Sequence, residues 1–198
     1  MVKASGAARY EFSLRETRTW DIIEDVRTLR SELGILYRND FNRDVIDKLL
    51  RDSGLSFHPL FLADPHIFVS RKNPLATRER VTLDDLAGLP RLTFDQGNNN
   101  SFYFAEEILS TLSSEQEIRV SDRATIFNLM IGLEGYTIST GIISDDLDPE
   151  IVAVPLDVDE RIEIGWIAHS AIPLTEQAQR YLDEVRAVVR EFDVVLLG

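Results

Sequence analysis

Apolar residues that recur every three or four positions mark the helices of this chain, while alternating or short continuous apolar runs mark its strands. In "TRTWDIIEDVRTLR" (17–30), Trp20, Ile22, Ile23, Val26 and Leu29 share one face, with Thr19 as the N-cap. "RDVIDKLLRDSG" (43–54) predicts a second helix, ended by Gly54. The final helix is "TEQAQRYLDEVRAVVREF" (175–192), whose Ala178, Tyr181, Leu182, Val185, Val188, Val189 and Phe192 form one packing face. "YEFSLRE" (10–16) alternates as a strand does, and "ELGILYRND" (32–40) reads as a short buried strand. The opening order is β-α-β-α, from which a parallel sheet covered by helices is the natural expectation.

"LSFHPLFLADPHIFVSRKNPLA" (55–76) is extended, carries Pro59 and Pro65, and is too long for one ordinary strand. It reads as a passage from one lobe into another. Beyond it, "TLDDLAG" predicts a short helix started by Thr82, "PRLTFDQ" a strand and "FYFAEEILSTL" a helix. "EIRVS" follows as a strand, "RATIFNLMIGLEG" as a helix and "YTISTG" as a strand. Ile126, Phe127, Leu129, Met130, Ile131 and Leu133 are apolar nearly all round, which predicts a helix buried between layers. Two more extended runs, "EIVAVPLDV" and "RIEIGWIAH", lead back to the final helix. Two crossings imply two α/β lobes with a cleft between them: 1–64 with 163–198, and 65–162.

Composition narrows the function classes. The 198 residues are 44% hydrophobic and 28% charged, which describes a globular chain able to bury a core. No apolar run is long enough for a bilayer, and "MVKASGAARYEF" lacks the apolar stretch of a secretory signal, so no membrane partner is expected. The absence of cysteine removes disulfides, thiolate metal sites and cysteine nucleophiles, and fits a cytoplasmic location. With 21 basic against 34 acidic residues, a net charge of −13, this chain alone is not expected to grip nucleic acid.

Three stretches carry a resemblance. "HPLFLADPHIFVSRKNPLA" looks like the crossover strand and short turn of the effector-binding domain of LysR-type transcriptional regulators. "VTLDDLAGLPRLTF" and "IRVSDRATIFNLMIGLEGYTIST" resemble the segments that follow in that family. The likeness runs from Tyr10 onward, and departs from the family where Thr140 and Gly141 stand in place of its usual proline. It implies a two-lobed, type 2 periplasmic-binding-protein-like fold with a small polar or anionic metabolite in the cleft and no cofactor. It further implies a cytoplasmic homodimer paired through side-by-side lobes, which reaches DNA only through an N-terminal module missing from this chain. The family's first lobe opens with a strand and helix before the equivalent of "YEFSLRE", whereas only nine residues precede Tyr10 here. A first lobe incomplete at its N-terminus is therefore expected, with a gap, a rearrangement or a partner filling the place.

In open α/β sheets, ligands sit where strand ends run into helix starts, and such starts present free N–H groups. "FDQGNNNS" occupies that position, and the family places ligand groups in this loop. Gln96, Gly97, Asn98, Asn99, Asn100 and Ser101 are accordingly candidate effector contacts, with a simple Asn/Gly turn as the alternative. Thr17, Asn39 and Thr140 follow other strands and join them, although Thr17 also competes as a cap, Asn39 as a turn residue and Thr140 as a strand end. Arg15 and Arg18 could face an acidic effector or simply solvent. His58, His66 and His169 lack zinc spacing and are expected to satisfy backbone groups near the hinge. The carboxylate pairs Asp84–Asp85 and Glu106–Glu107 read as solvated helix faces. No nucleophile elbow, phosphate loop or dinucleotide fingerprint occurs, so catalysis is not expected. A solute-binding protein of a transport system, or an enzyme on the same scaffold, are the alternatives.

Overall fold

The structure, a computed structural model, describes residues 11–97, 102–144 and 148–197. Among the described residues, four α-helices and two sheets make up the frame. The first sheet holds β1 (Leu33–Arg38), β2 (Leu55–Ala63), β8 (Ile162–His169) and β9 (Val195–Leu196), in the order β1-β8-β2-β9. The second holds β3 (His66–Ser70), β4 (Arg91–Phe94), β5 (Glu117–Val120), β6 (Tyr136–Ser139) and β7 (Ile151–Pro155), in the order β5-β4-β6-β3-β7. The chain leaves the first sheet after Ala63, enters the second at His66, and returns between Pro155 and Ile162. This is the two-lobed α/β architecture with two crossover segments that the pattern implied.

The first sheet is not the parallel sheet expected from β-α-β-α order. Strand β8 runs antiparallel between β1 and β2 and pairs with both, Leu36 opposite Gly165 on one side and Phe57 opposite Ile167 on the other. Strand β1 has β8 as its one partner among the described residues. The alternating stretch 11–16 forms no strand there; Phe12 and Leu14 are exposed, the latter by 87%. Alternation signals a strand only where a neighbouring strand completes its hydrogen bonds.

Helices α1 (Thr19–Arg27) and α2 (Arg43–Asp52) cover one face of this sheet, packing Ile23, Val26, Ile46 and Leu50 onto Leu36, Leu55 and Ile167. Arg18 occupies the N-cap position of α1 without a side-chain capping bond, and Thr19 is the first helical residue rather than the cap. Gly54, with φ of +71°, follows the end of α2 as expected. The opposite face, reached by the alternate residues Ile35, Ile164 and Trp166, packs with Val185 and Val189 of α4 (Glu176–Val189). Each fully buried aliphatic side chain here contributes roughly 1.5–3 kcal/mol.

In the second lobe, α3 (Arg123–Leu133) lays Ile126 and Met130 on Phe68, Leu92, Phe94 and Ile151. It is not buried between layers: Ile131 and Leu133 stay exposed, because nothing among the described residues covers the outer face. The other face of the sheet packs Ile67, Val69, Tyr136 and Ile138 against Leu75, Val81, Leu86 and Ile108. The helix expected over "FYFAEEILSTL" is replaced by a 3-10 turn at Phe102–Phe104 followed by bends.

Gly165 marks the tightest place in the first sheet. A Cβ there would stand 2.6 Å from the carbonyl oxygen of His58 and inside the Phe57 ring, and the backbone carbonyl cannot yield. Gly165→Val is expected to cost roughly 1–3 kcal/mol through overpacking, read as a lower urea midpoint. An unchanged midpoint would show that β8 does not sit this close to β2.

Candidate functional site

Between the two sheets lies a cavity of about 960 Å³. Its first-lobe wall is strand β1 from Leu33 to Tyr37, the segment before α1, and Ile162 and Ile164 of β8. Its second-lobe wall is Phe68 of β3, Phe94 of β4, Thr137 to Thr140 at the end of β6, and Arg123, Ile126 and Phe127 of α3. Most of this surface is apolar, and its aromatic rings come from both lobes, Phe12, Tyr37 and Tyr181 on one side and Phe68, Phe94 and Phe127 on the other.

Cross-lobe contacts close the cavity. Arg18 reaches Asp95 with two bonds of 3.2 Å, one to the carboxylate and one to the carbonyl. The Thr19 amide donates to Gln96 Oε1 at 3.1 Å. Tyr37 Oη donates to the Glu107 carbonyl at 3.3 Å, and Asn42 Nδ2 to the Tyr103 carbonyl at 3.3 Å. The rings of Phe41 and Tyr103 stack at 4.8 Å, and those of Trp20 and Phe104 meet edge to face at 5.6 Å. A further tie runs through Arg123, which opens α3 behind the Asp122 cap (Thr125 N to Asp122 Oδ2, 2.8 Å). Its guanidinium pairs with Glu16 at 2.7 Å and with Glu106, and lies 4.8 Å from the centre of the Phe94 ring.

Glu107 is the unusual group in the wall. It is 7% exposed, and its Oε1 accepts the Phe94 amide at 2.9 Å. Burial raises its carboxyl from the ordinary range to about 7, opposed by the Phe94 hydrogen bond and reinforced by the neighbouring Glu106. Burial likewise holds the Tyr37 hydroxyl well above its usual range, with Glu107 and Glu106 adding to the effect. Arg91, buried on β4, donates to the carbonyls of Ile108, Leu109 and Leu112 and so fixes the segment that carries Glu107.

The structure brings only some of the candidate residues to the cavity. Thr17 and Thr140 line it. Gln96 is buried at the lobe junction, where it receives the Thr19 amide and reaches Glu106 at 3.5 Å. Gly97, with φ of +64°, lies against the Arg18 guanidinium, which a side chain at this position would displace. Asn39 and Asn42 exchange backbone-to-side-chain bonds of 2.9 Å, a turn-closing pair ahead of α2. Asn98, Asn99, Asn100 and Ser101 lie outside the described residues. Arg15 lines the cavity and pairs with Asp25 at 2.7 Å.

The carboxylate pairs are not both solvated faces. Asp85 accepts the Thr82 amide at 2.8 Å, whereas Glu107 is buried because its segment is not helical. Sequence reading missed Glu107, Arg123, Phe94 and Tyr37; one available signal was a charged Arg91 inside an apolar strand, which demands internal acceptors. His66 and His169 do meet backbone groups, the Asp64 carbonyl at 2.8 Å and the Ala171 amide at 3.3 Å, while His58 stacks on Trp166 at 3.9 Å. Among the described residues, no group of three or more His, Asp or Glu side chains is placed to hold a metal ion, and no helix is long and apolar enough to cross a membrane.

Two α/β lobes joined by two crossings over a shared internal cavity define the periplasmic-binding-protein-like class. Within that class the family model for the LysR substrate binding domain matches residues 8–190, and the chain belongs to this family. No curated protein sequence matches it. Among solved structures, the oxidized form of OxyR superposes with a TM-score of 0.60 at 20% identity, over 92% of this chain and 84% of that one. HinK, a LysR family transcriptional regulator from Pseudomonas aeruginosa, gives 0.61 at 17% identity, over 87% of this chain and 58% of its own. The effector-binding domain of QuiR in complex with shikimate gives 0.57 at 14% identity, over 88% and 79%.

Proposed function

We propose that this chain is the effector-sensing domain of a LysR-type transcriptional regulator, with a small molecule held in the interlobe cavity and Thr17 and Thr140 among its contacts. The observation that carries the reading is the cavity itself, about 960 Å³, walled by both lobes and bridged by contacts between them. A ligand touching both walls stabilises the closed arrangement by its differential affinity for it. The lobes correspond to 1–64 with 163–198 and to 65–162. Two chains pair side by side, and the angle between lobes biases the DNA-binding modules of a cytoplasmic dimer. DNA contact belongs to a separate module, in keeping with the net charge of −13. The reading includes no catalytic step.

A thermal-shift screen of small metabolites tests it. A cleft ligand at a hundredfold excess over its Kd stabilises the protein by about 2.7 kcal/mol, and X-ray scattering should show a narrower distribution of lobe separations. Ligands that raise Tm equally in a variant with the cavity filled, Ile138→Trp, would place binding elsewhere and overturn the proposal.

A further inference from the structure

The charges in the cavity wall do not balance. Glu16, Asp25, Glu32, Glu106 and Glu107 face three guanidiniums, Arg15, Arg30 and Arg123. Each guanidinium is already engaged: Arg15 and Arg30 with Asp25 at 2.7 and 3.3 Å, and Arg123 with Glu16 and Glu106. Glu32 accepts the amide and hydroxyl of Thr175. Asp25 and Glu107 are the two of these carboxyls that are more than nine-tenths buried. Asp25 pairs with Arg15 and Arg30, whereas Glu107 accepts hydrogen bonds from backbone amides, Phe94 among them, with no cation bonded to it among the described residues. Arg91, the buried cation on β4, gives its guanidinium hydrogen bonds to backbone carbonyls instead.

Resting on the effector-sensing reading, we infer that Glu107 recognises the ammonium group of a small amphipathic amine, whose apolar body packs on Phe68, Phe94, Phe127 and Ile138. A buried carboxyl either holds its proton or takes a paired cation, and among the described residues no guanidinium of this wall bonds to Glu107, Arg123 being held by Glu16 and Glu106. Aromatic faces attract an ammonium and shelter the apolar remainder. The net charge of −13 raises the concentration of cations near the protein and lowers that of anions. An anionic effector would meet Glu107 and Glu106 with every described guanidinium in the wall occupied.

The groups facing Glu107 are Glu106 on its own segment, Arg91 from β4, Tyr37 from β1 and Arg123 from α3, the last neutralised by Glu16 and Glu106. Burial, with these groups around it, holds the carboxyl at about 7. An ammonium favours the ionised form, so its binding expels a proton from Glu107.

Isothermal calorimetry with the folded chain tests this, using 2-phenylethylamine and hexylamine beside the alcohols and carboxylates of matching length. The amines are expected to bind, the alcohols weakly and the carboxylates not at all. The amine enthalpy at pH 7 should vary with the ionisation enthalpy of the buffer, the signature of proton release. Glu107→Gln should weaken amine binding roughly thirtyfold or more and abolish the buffer dependence. Carboxylates binding more tightly than amines, or amines binding Glu107→Gln unchanged, overturn the assignment. The comparison of the three charge types in the unsubstituted protein decides it even if the variant does not fold. If none of these probes binds but another metabolite raises Tm and loses that effect in Ile138→Trp, the amine assignment falls and the sensing function stands; if no molecule of any charge binds the cavity, the sensing function falls with it.

Discussion

Replacing Arg91 by leucine lowers stability by about 3 kcal/mol or more, since it strips the partner from three carbonyls in a part-buried segment. The guanidinium donates from Nη1 to the carbonyls of Leu109 and Leu112 at 3.1 and 3.0 Å, and from Nη2 to those of Ile108 and Leu109 at 3.2 and 3.1 Å. Leucine fills most of the volume but offers no donor. Ile108, fully buried in the second-lobe core, and Glu107, in the cavity wall, are both placed by the backbone that Arg91 holds. The effect is therefore local as well as global: amide exchange between 105 and 112 should accelerate beyond what the fall in global stability accounts for. Lysine at this position keeps the charge but not the planar fork, and should recover only part of the loss. A leucine variant within about 0.5 kcal/mol of the original, the range of an ordinary surface change, would show that these bonds contribute nothing.

The same interaction explains why part of the fold was legible in the sequence and part was not. Helices α1, α2 and α4 were readable because their apolar faces are set by residues three and four apart, and because Thr175 caps α4 through the Ala178 amide. The stretch 102–112 also has helical spacing, yet its carbonyls bond to a side chain 17 to 21 positions away and Leu109 adopts φ of +56°. No local pattern encodes that partner. Strand β8 raises the same difficulty on a larger scale: it separates β1 from β2 although it follows them only after residues 64–161, so the local β-α-β order pointed to a parallel pairing that does not form. The two extended crossings, at 55–76 and 151–169, supplied the two lobes and the cleft, and the resemblance to a known family implied the same arrangement. It did not supply the wall chemistry, because Glu107 is remarkable only for its surroundings: the identical residue one position earlier, Glu106, pairs with Arg123.

Those surroundings give the protein a pH dependence of definite sign. Glu107 loses its proton near the ordinary value of 4.5 in the unfolded chain and at about 7 in the folded one. Below pH 4.5 both states hold the proton, and the folded state enjoys the full benefit of a neutral group in an apolar wall. Between 4.5 and 7 only the folded state holds it, so stability falls as pH rises. Above 7 both states are ionised and the loss is complete, on the order of 3 kcal/mol for this one group. Other carboxylates add their own dependence, so the decisive quantity is the difference from Glu107→Gln, which is neutral at every pH. That difference in unfolding free energy should shift against the original protein as pH rises through this window and then level off. A difference flat from pH 4.5 to 8 would mean that Glu107 titrates like an exposed carboxylate, and hence that the wall is open to water. A saturating amine should flatten the fall, because an ammonium beside Glu107 favours the charge that burial opposes. The dependence on pH and the preference for a cation thus share one cause: a carboxyl held in an apolar wall by a backbone that Arg91 fixes, with no positive charge of its own.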